Sequence, residues 1–312
     1  MASHQQSNLY KILTERLREH LDSGDLERAE KIAKTAVESA RRSAQSHDEN
    51  LPLLLETLRE LAALRLASAD VNGAAIVYQE AFGLARGNRF VSPEQIAFLK
   101  SELAGALDRQ GKGEEAVPLY QDAVEIFESA TVNEPVLAAK IRNNLALIFK
   151  EEGRLELAEE HYLVSLNVYE LACGPESLEV SSIFNNIGGL YQAAGHLKRA
   201  VEMHERAWGL RETLAGEGSL DAGQSLSNLA AAHHALGEYA EADGFYKRAR
   251  TVLAEHRAIA PEVCEIAESN HRVLLEEAGD KLVPDDQDDL ESLPVPTVFH
   301  DSVRLTRQLA LG

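Results

Sequence analysis

The sequence repeats itself every 42 residues, and no other feature limits its fold so tightly. A small residue recurs at Ala69, Gly111, Gly153, Gly195 and Gly237. Further on comes an alanine at Ala74, Ala116, Ala158, Ala200 and Ala242, then an aromatic position at Tyr78, Tyr120, Tyr162, His204 and Tyr246. A second small position follows at Ala81, Ala123, Ser165, Ala207 and Ala249, and an apolar–small pair precedes each unit at Leu61-Ala62, Leu103-Ala104, Leu145-Ala146, Ile187-Gly188 and Leu229-Ala230. Apolar residues from Leu145 to Phe149 have helical spacing, and Gly153 stands where a left-handed C-cap ends a helix. A second helix then runs from Leu155 through Ala158, Tyr162, Ser165 and Leu166. Ala158 and Ser165 are small because two helices cross there, and Tyr162 fills the space between hairpins. One hairpin cannot bury its own apolar face, so the units must stack.

The connections keep the same period. Pro93, Pro135, Ser177, Ser219 and Pro261 occupy one column. Proline suits the first turn of a helix and serine its N-cap, so this column starts the first helix of each unit.

These columns resemble those of tetratricopeptide repeats, and the 42-residue unit resembles the kinesin light chain variety. The resemblance rests on Asn185-Asn186-Ile187-Gly188, Tyr191, Gly195-His196-Leu197, Ala200, Glu205-Arg206-Ala207 and the linker Gly174-Pro175-Glu176-Ser177. Asn228-Leu229-Ala230, Gly237-Glu238-Tyr239, Glu241-Ala242 and Tyr246-Lys247-Arg248-Ala249 repeat it. It covers about residues 55–280. It implies an all-α fold, a right-handed tetratricopeptide solenoid of antiparallel helical hairpins without β-sheet. The expected layout is a degenerate hairpin over 1–50, five repeats over 51–264, a capping helix over 265–283 and a tail over 284–312, giving six hairpins and a cap. The first hairpin is read from Gly24-Asp25-Leu26 and Ala29. The tail opens with Asp285, Asp286, Asp288, Asp289 and Glu291 and closes with an amphipathic stretch from Val298 to Leu311, which would either cap the last hairpin or fold back into the groove.

Composition removes several classes of function. Fifty-one acidic residues against 31 basic ones leave a net charge of −20, which repels phosphate backbones and anionic lipid. Cys173 and Cys264 stand far apart with no second pair, which excludes a disulfide framework or a zinc cluster and fits a reducing, cytoplasmic setting. The N-terminus lacks a signal-peptide core. The most apolar stretch, Leu51 to Ala69, is broken by Glu56, Arg59, Glu60 and Arg65 and cannot span a bilayer.

No catalytic constellation is present in the sequence. Gly111-Lys112-Gly113 lacks the rest of a phosphate-binding loop. His233 and His234 are adjacent on a helix and diverge by about 100°, too far to chelate one ion. His233 instead occupies the packing column of Phe149 and Tyr191, and His204 that of tyrosine. The chain is expected to be no enzyme, with no cofactor, metal, nucleic acid, membrane or small-molecule substrate.

The polar column that needs explaining is asparagine: Asn144, Asn186, Asn228 and Asn270, with Asn143 and Asn185 beside two of them. Asparagine is a poor helix former, so its repeated use mid-helix has a reason. The resemblance places these positions on the first helices, which line the concave groove. Two readings stand together there: asparagines clamping an extended peptide backbone, or asparagines tying one hairpin to the next. The candidate groove comprises Lys140, Asn143, Asn144, Lys150, Asn185, Asn186, Gln192, Gln224, Ser227 and Asn228. It lacks the basic cluster of chaperone-binding relatives, because Ser101, Glu102 and Ser182 stand where its members would be.

The expected function is therefore a protein-interaction scaffold using its groove or its flanks. The resemblance makes a cytoskeletal setting plausible, since bacterial members include one that accompanies bacterial tubulins. A filament cross-linker using the flanks and an adaptor regulated by its own tail are the alternatives. Residues 1–42, with eight basic and seven acidic side chains, form the least negative edge, where Arg16, Arg18, Lys31, Lys34, Arg41 and Arg42 could meet an acidic filament.

Overall fold

A computed structural model describes residues 25–279 together with Leu13, Arg16, Glu19 and His20, which are helical. Twelve α-helices follow one another: α1 (Leu26–Ser46), α2 (Leu51–Ala67), α3 (Val71–Ala85), α4 (Pro93–Arg109), α5 (Gly113–Glu128), α6 (Pro135–Glu151), α7 (Leu155–Cys173), α8 (Leu178–Ala193), α9 (Leu197–Ala215), α10 (Leu220–Leu236), α11 (Tyr239–Ala254) and α12 (Pro261–Ala278). One 3-10 turn, Asp48–Asn50, links α1 to α2, and the described residues contain no strand. The fold of the described residues is all-α. The chain divides into two compact units between Ile141 and Arg142, inside α6.

In the first unit, α1 begins where the Asp25 carboxylate accepts a hydrogen bond from the Arg28 amide at 3.2 Å. Ala29, Ala33, Ala36, Val37 and Ala40 then bury one face at helical spacing. Successive helices from α1 to α5 pack in sequence. Ala74 and Ala81 are fully buried beside Tyr78, and Ala116 and Ala123 beside Tyr120. A tyrosine so enclosed contributes on the order of 2 kcal/mol of apolar burial, which the alanines permit by letting the helices approach. Ala69 holds the repeat's turn at φ +61°, a left-handed conformation that its equivalents Gly111, Gly153, Gly195 and Gly237 adopt without a Cβ penalty.

The second unit repeats the plan from α7 to α12, again with neighbours in sequence packed together, and with first helices touching first helices: α8 meets α10, and α10 meets α12. Ala158, Ser165 and Tyr162 are fully buried, as the repeat requires. The linker column starts helices in two ways. Pro93, Pro135 and Pro261 are the first residues of α4, α6 and α12, whereas Ser177 and Ser219 cap α8 and α10 by accepting the amides of Val180 and Ala222. The last described helix accordingly opens at Pro261 rather than near 265, because proline pre-sets the first helical turn. The tail, residues 284–312, and most of the first half of the N-terminal hairpin lie outside the described residues.

Candidate functional site

The asparagine columns lie at mid-helix in α6, α8, α10 and α12. Within the second unit they meet in an offset register: Asn186 Nδ2 donates to Asn143 Oδ1 at 2.9 Å, and Asn228 Nδ2 donates to Asn185 Oδ1 at 2.7 Å. Each bond joins residues 43 apart, so an asparagine of one hairpin reaches the neighbouring column of the hairpin before it. All four side chains are fully buried. Enclosed in this way, the four amides are closed to a peptide in this structure, and their bonds tie each hairpin to the one before it. Asn144 and Ser227 are buried as well.

The remaining groove positions differ in access. Lys150, Gln192 and Gln224 are half-buried, and the Gln192 side-chain oxygen has no hydrogen-bond partner among the described residues. Lys140, in the first unit, is only 9 % exposed. Burial pushes the Lys140 ammonium down to about 8, and burial likewise holds Lys150 at about 8 despite the opposing pull of Glu151. A lysine in this state gains most from an incoming carboxylate, which restores the charged form that desolvation disfavours.

The same 43-residue register appears in the first unit as an ion pair. Arg59 Nε and Nη2 grip Glu102 at 2.7 and 2.6 Å, with the guanidinium over the Phe98 ring at 5.2 Å. Burial pulls the Arg59 pKa down, but the bond to Glu102 outweighs it and raises the value. Glu102 is thus committed to Arg59, consistent with a groove that lacks a carboxylate-binding cluster.

Several packed histidines keep to the aromatic columns. His233 stacks on Phe245 at 5.3 Å and meets Glu238 through Nδ1 at 2.6 Å. His234 reaches Glu277 of α12 through Nε2 at 2.9 Å. His204 is fully buried against α8, and a Cβ added at Gly188 would stand 2.7 Å from its ring. No group of His, Cys, Asp or Glu able to hold a metal occurs among the described residues.

Sequence reasoning missed Arg211. It is 1 % exposed, in the column that holds Phe127, Tyr169 and Leu253. Its guanidinium donates to Ser225 Oγ at 2.8 Å, Ser181 Oγ at 3.3 Å, Ser182 Oγ at 3.4 Å and the Asp221 carbonyl at 3.5 Å, pinning α9 to α8 and α10. A charge inside an aromatic column was the legible sign. Of the basic edge, Arg41 pairs with Glu80 at 2.5 Å and Lys34 with Glu30 at 2.8 Å, while Arg18 lies outside the described residues.

Comparison with known proteins agrees with this geometry. Tetratricopeptide repeat models match residues 137–213, and 100–130 with 223–256. The chain is 30% identical to BtubC (BKLC) from P. vanneervenii, with 86% of this chain and 98% of that one covered and a TM-score of 0.64. A putative kinesin light chain from Podosopora anserina matches at 21% identity and TM-score 0.56, covering 65% of this chain and 96% of that one. Aspartyl phosphate phosphatase F from Bacillus subtilis matches at 16% and TM-score 0.60, covering 90% and 75%. The last two share the fold alone. No curated protein matches the chain.

Proposed function

This chain belongs to the tetratricopeptide-repeat proteins of the kinesin light chain type, and on that premise we propose that it is a non-catalytic scaffold whose partner is a tubulin-like cytoskeletal filament. The observation that carries the reading is the end-to-end match to BtubC (BKLC), which spans 98% of that protein. A cytoplasmic setting belongs to the same reading; no helix among the described residues is long and apolar enough to cross a membrane.

The groove residues of the second unit proposed to meet the partner narrow to Lys150, Gln192 and Gln224, since Asn143, Asn185, Asn186 and Asn228 are consumed by their own ladder; in the first unit Lys140 is proposed by itself. Two lysines that burial has partly desolvated, and that remain mostly charged at neutral pH, suit an acidic filament surface. A flank reading is favoured by one observation: five of the groove's ten candidate polar side chains, Asn143, Asn185, Asn186, Ser227 and Asn228, are fully enclosed, which leaves fewer groups in the groove to hold a ligand. Charge reversal separates the two. Lys150→Glu weakens filament binding if the groove is used, whereas Arg41→Glu with Arg42→Glu weakens it if the N-terminal edge is used; binding unmoved by both sets overturns both assignments.

A further inference from the structure

One exposed face of α7 carries apolar side chains that the groove reading does not use. Val164 and Leu171 stand two helical turns apart on one face, with Leu163 beside them. All three are exposed, and Leu171 is 81 % exposed. The equivalent positions in the next two hairpins are polar: Glu205, Arg206 and Thr213 on α9, and Lys247, Arg248 and Glu255 following in α11 and its C-cap. The repeat itself therefore does not ask for leucine here. Two more exposed leucines, Leu178 at the start of α8 and Leu214 at the end of α9, lie at the same end of the hairpins as Leu171. Exposed apolar side chains gathered on one helix face and at one end of its neighbours, which burial does not explain, mark a contact surface.

Its rim is acidic. Eight glutamates and one arginine lie between Glu151 and Glu179, and Glu156, Glu160 and Glu176 are exposed beside the ridge. We propose that this ridge docks a basic amphipathic helix of a partner protein, leucine-like side chains packing on Leu163, Val164 and Leu171 while lysines or arginines meet the surrounding glutamates. A helix suits the ridge because the strip is itself a row of a helix surface, into which a second helix can interdigitate. A second copy of this chain does not suit it: two such ridges would bring the same glutamates together in molecules that each carry a net charge of −20.

The test uses the full chain and two synthetic helical peptides of about 18 residues, about five turns, one patterned Leu/Lys and the other Leu/Glu. Fluorescence anisotropy should show the Leu/Lys peptide binding, more weakly as salt rises, and the Leu/Glu peptide not binding. Leu163→Ser with Leu171→Ser should reduce binding about tenfold or more at unchanged melting temperature, as expected for exposed positions. Equal binding by that variant would mean diffuse attraction to a polyanion and overturns the proposal. So does binding of the Leu/Glu peptide. A reversible dimer abolished by Leu171→Ser would assign the ridge to a second copy instead, and also overturns it.

Discussion

Asn186 donates its side-chain amide to Asn143 at 2.9 Å across 43 residues, and Arg59 grips Glu102 across the same interval. One repeat register is thus filled by an amide pair in the second unit and by an ion pair in the first. Asn186→Ala leaves Asn143 Oδ1 buried without its donor. The loss should be about 1–3 kcal/mol, read from chemical denaturation with an unchanged slope against denaturant. A loss below about 0.5 kcal/mol would place the amides in water.

The ion pair answers differently. Arg59→Ala strands a buried carboxylate and should cost about 3 kcal/mol, while Arg59→Met with Glu102→Leu removes both charges and should recover most of that. A double-mutant cycle on thermal or urea unfolding measures the coupling. If the double variant is as unstable as the sum of the single ones, the two side chains act independently.

His204 and Gly188 form a second coupled pair. Elsewhere the repeat pairs tyrosine with alanine, as in Tyr162 with Ala146; here the tyrosine is histidine and the alanine is glycine. Gly188→Ala drives a Cβ to 2.7 Å from the fully buried His204 ring and should destabilise by about 1–3 kcal/mol. Adding His204→Tyr restores the combination used by the other repeats and should regain most of the loss. Calorimetric melting of the single and double variants decides this; additive destabilisation would separate the two positions.

Acid should weaken the last helix. His271 is buried between α12 and α11, its Nε2 2.7 Å from Asp243 Oδ1 and its Nδ1 3.1 Å from Arg250 Nη1, with the ring stacked on Tyr246. Arginine can only donate, so Nδ1 accepts and the neutral ring donates from Nε2 to Asp243. Burial lowers the pKa, Arg250 and Lys247 add to it, and Asp243 opposes. Below about pH 6.5 the unfolded chain takes up a proton that the folded chain resists, so this contribution is complete above pH 6.5 and lost as pH falls. His271→Gln keeps a donor to Asp243 without the titration. Its melting temperature should fall less than wild type between pH 7 and pH 5; parallel pH profiles would contradict the assignment.

The hairpins were legible because a period of 42 residues marks close crossings and left-handed turns directly: the glycine column takes positive φ, and the alanine column is buried to zero exposure. Period fixes a face but not a depth. Each asparagine column taken by itself is compatible with a ligand-facing surface, whereas the bonds join adjacent columns at an offset of 43. The start of α12 at Pro261 follows from proline at the first helical position, a rule already visible at Pro93 and Pro135. Arg211 and the leucines of α7 are departures from their columns, which a period alone does not mark.

The most direct measurement is saturable co-sedimentation of the full chain with assembled bacterial tubulin filaments across a pH series. Binding should show a defined stoichiometry and weaken as pH rises through about 8, where Lys140 and Lys150 lose their protons. A chain that stays in the supernatant at every concentration contradicts the filament assignment. Binding that is unchanged from pH 7 to pH 9 contradicts the role given to the two lysines.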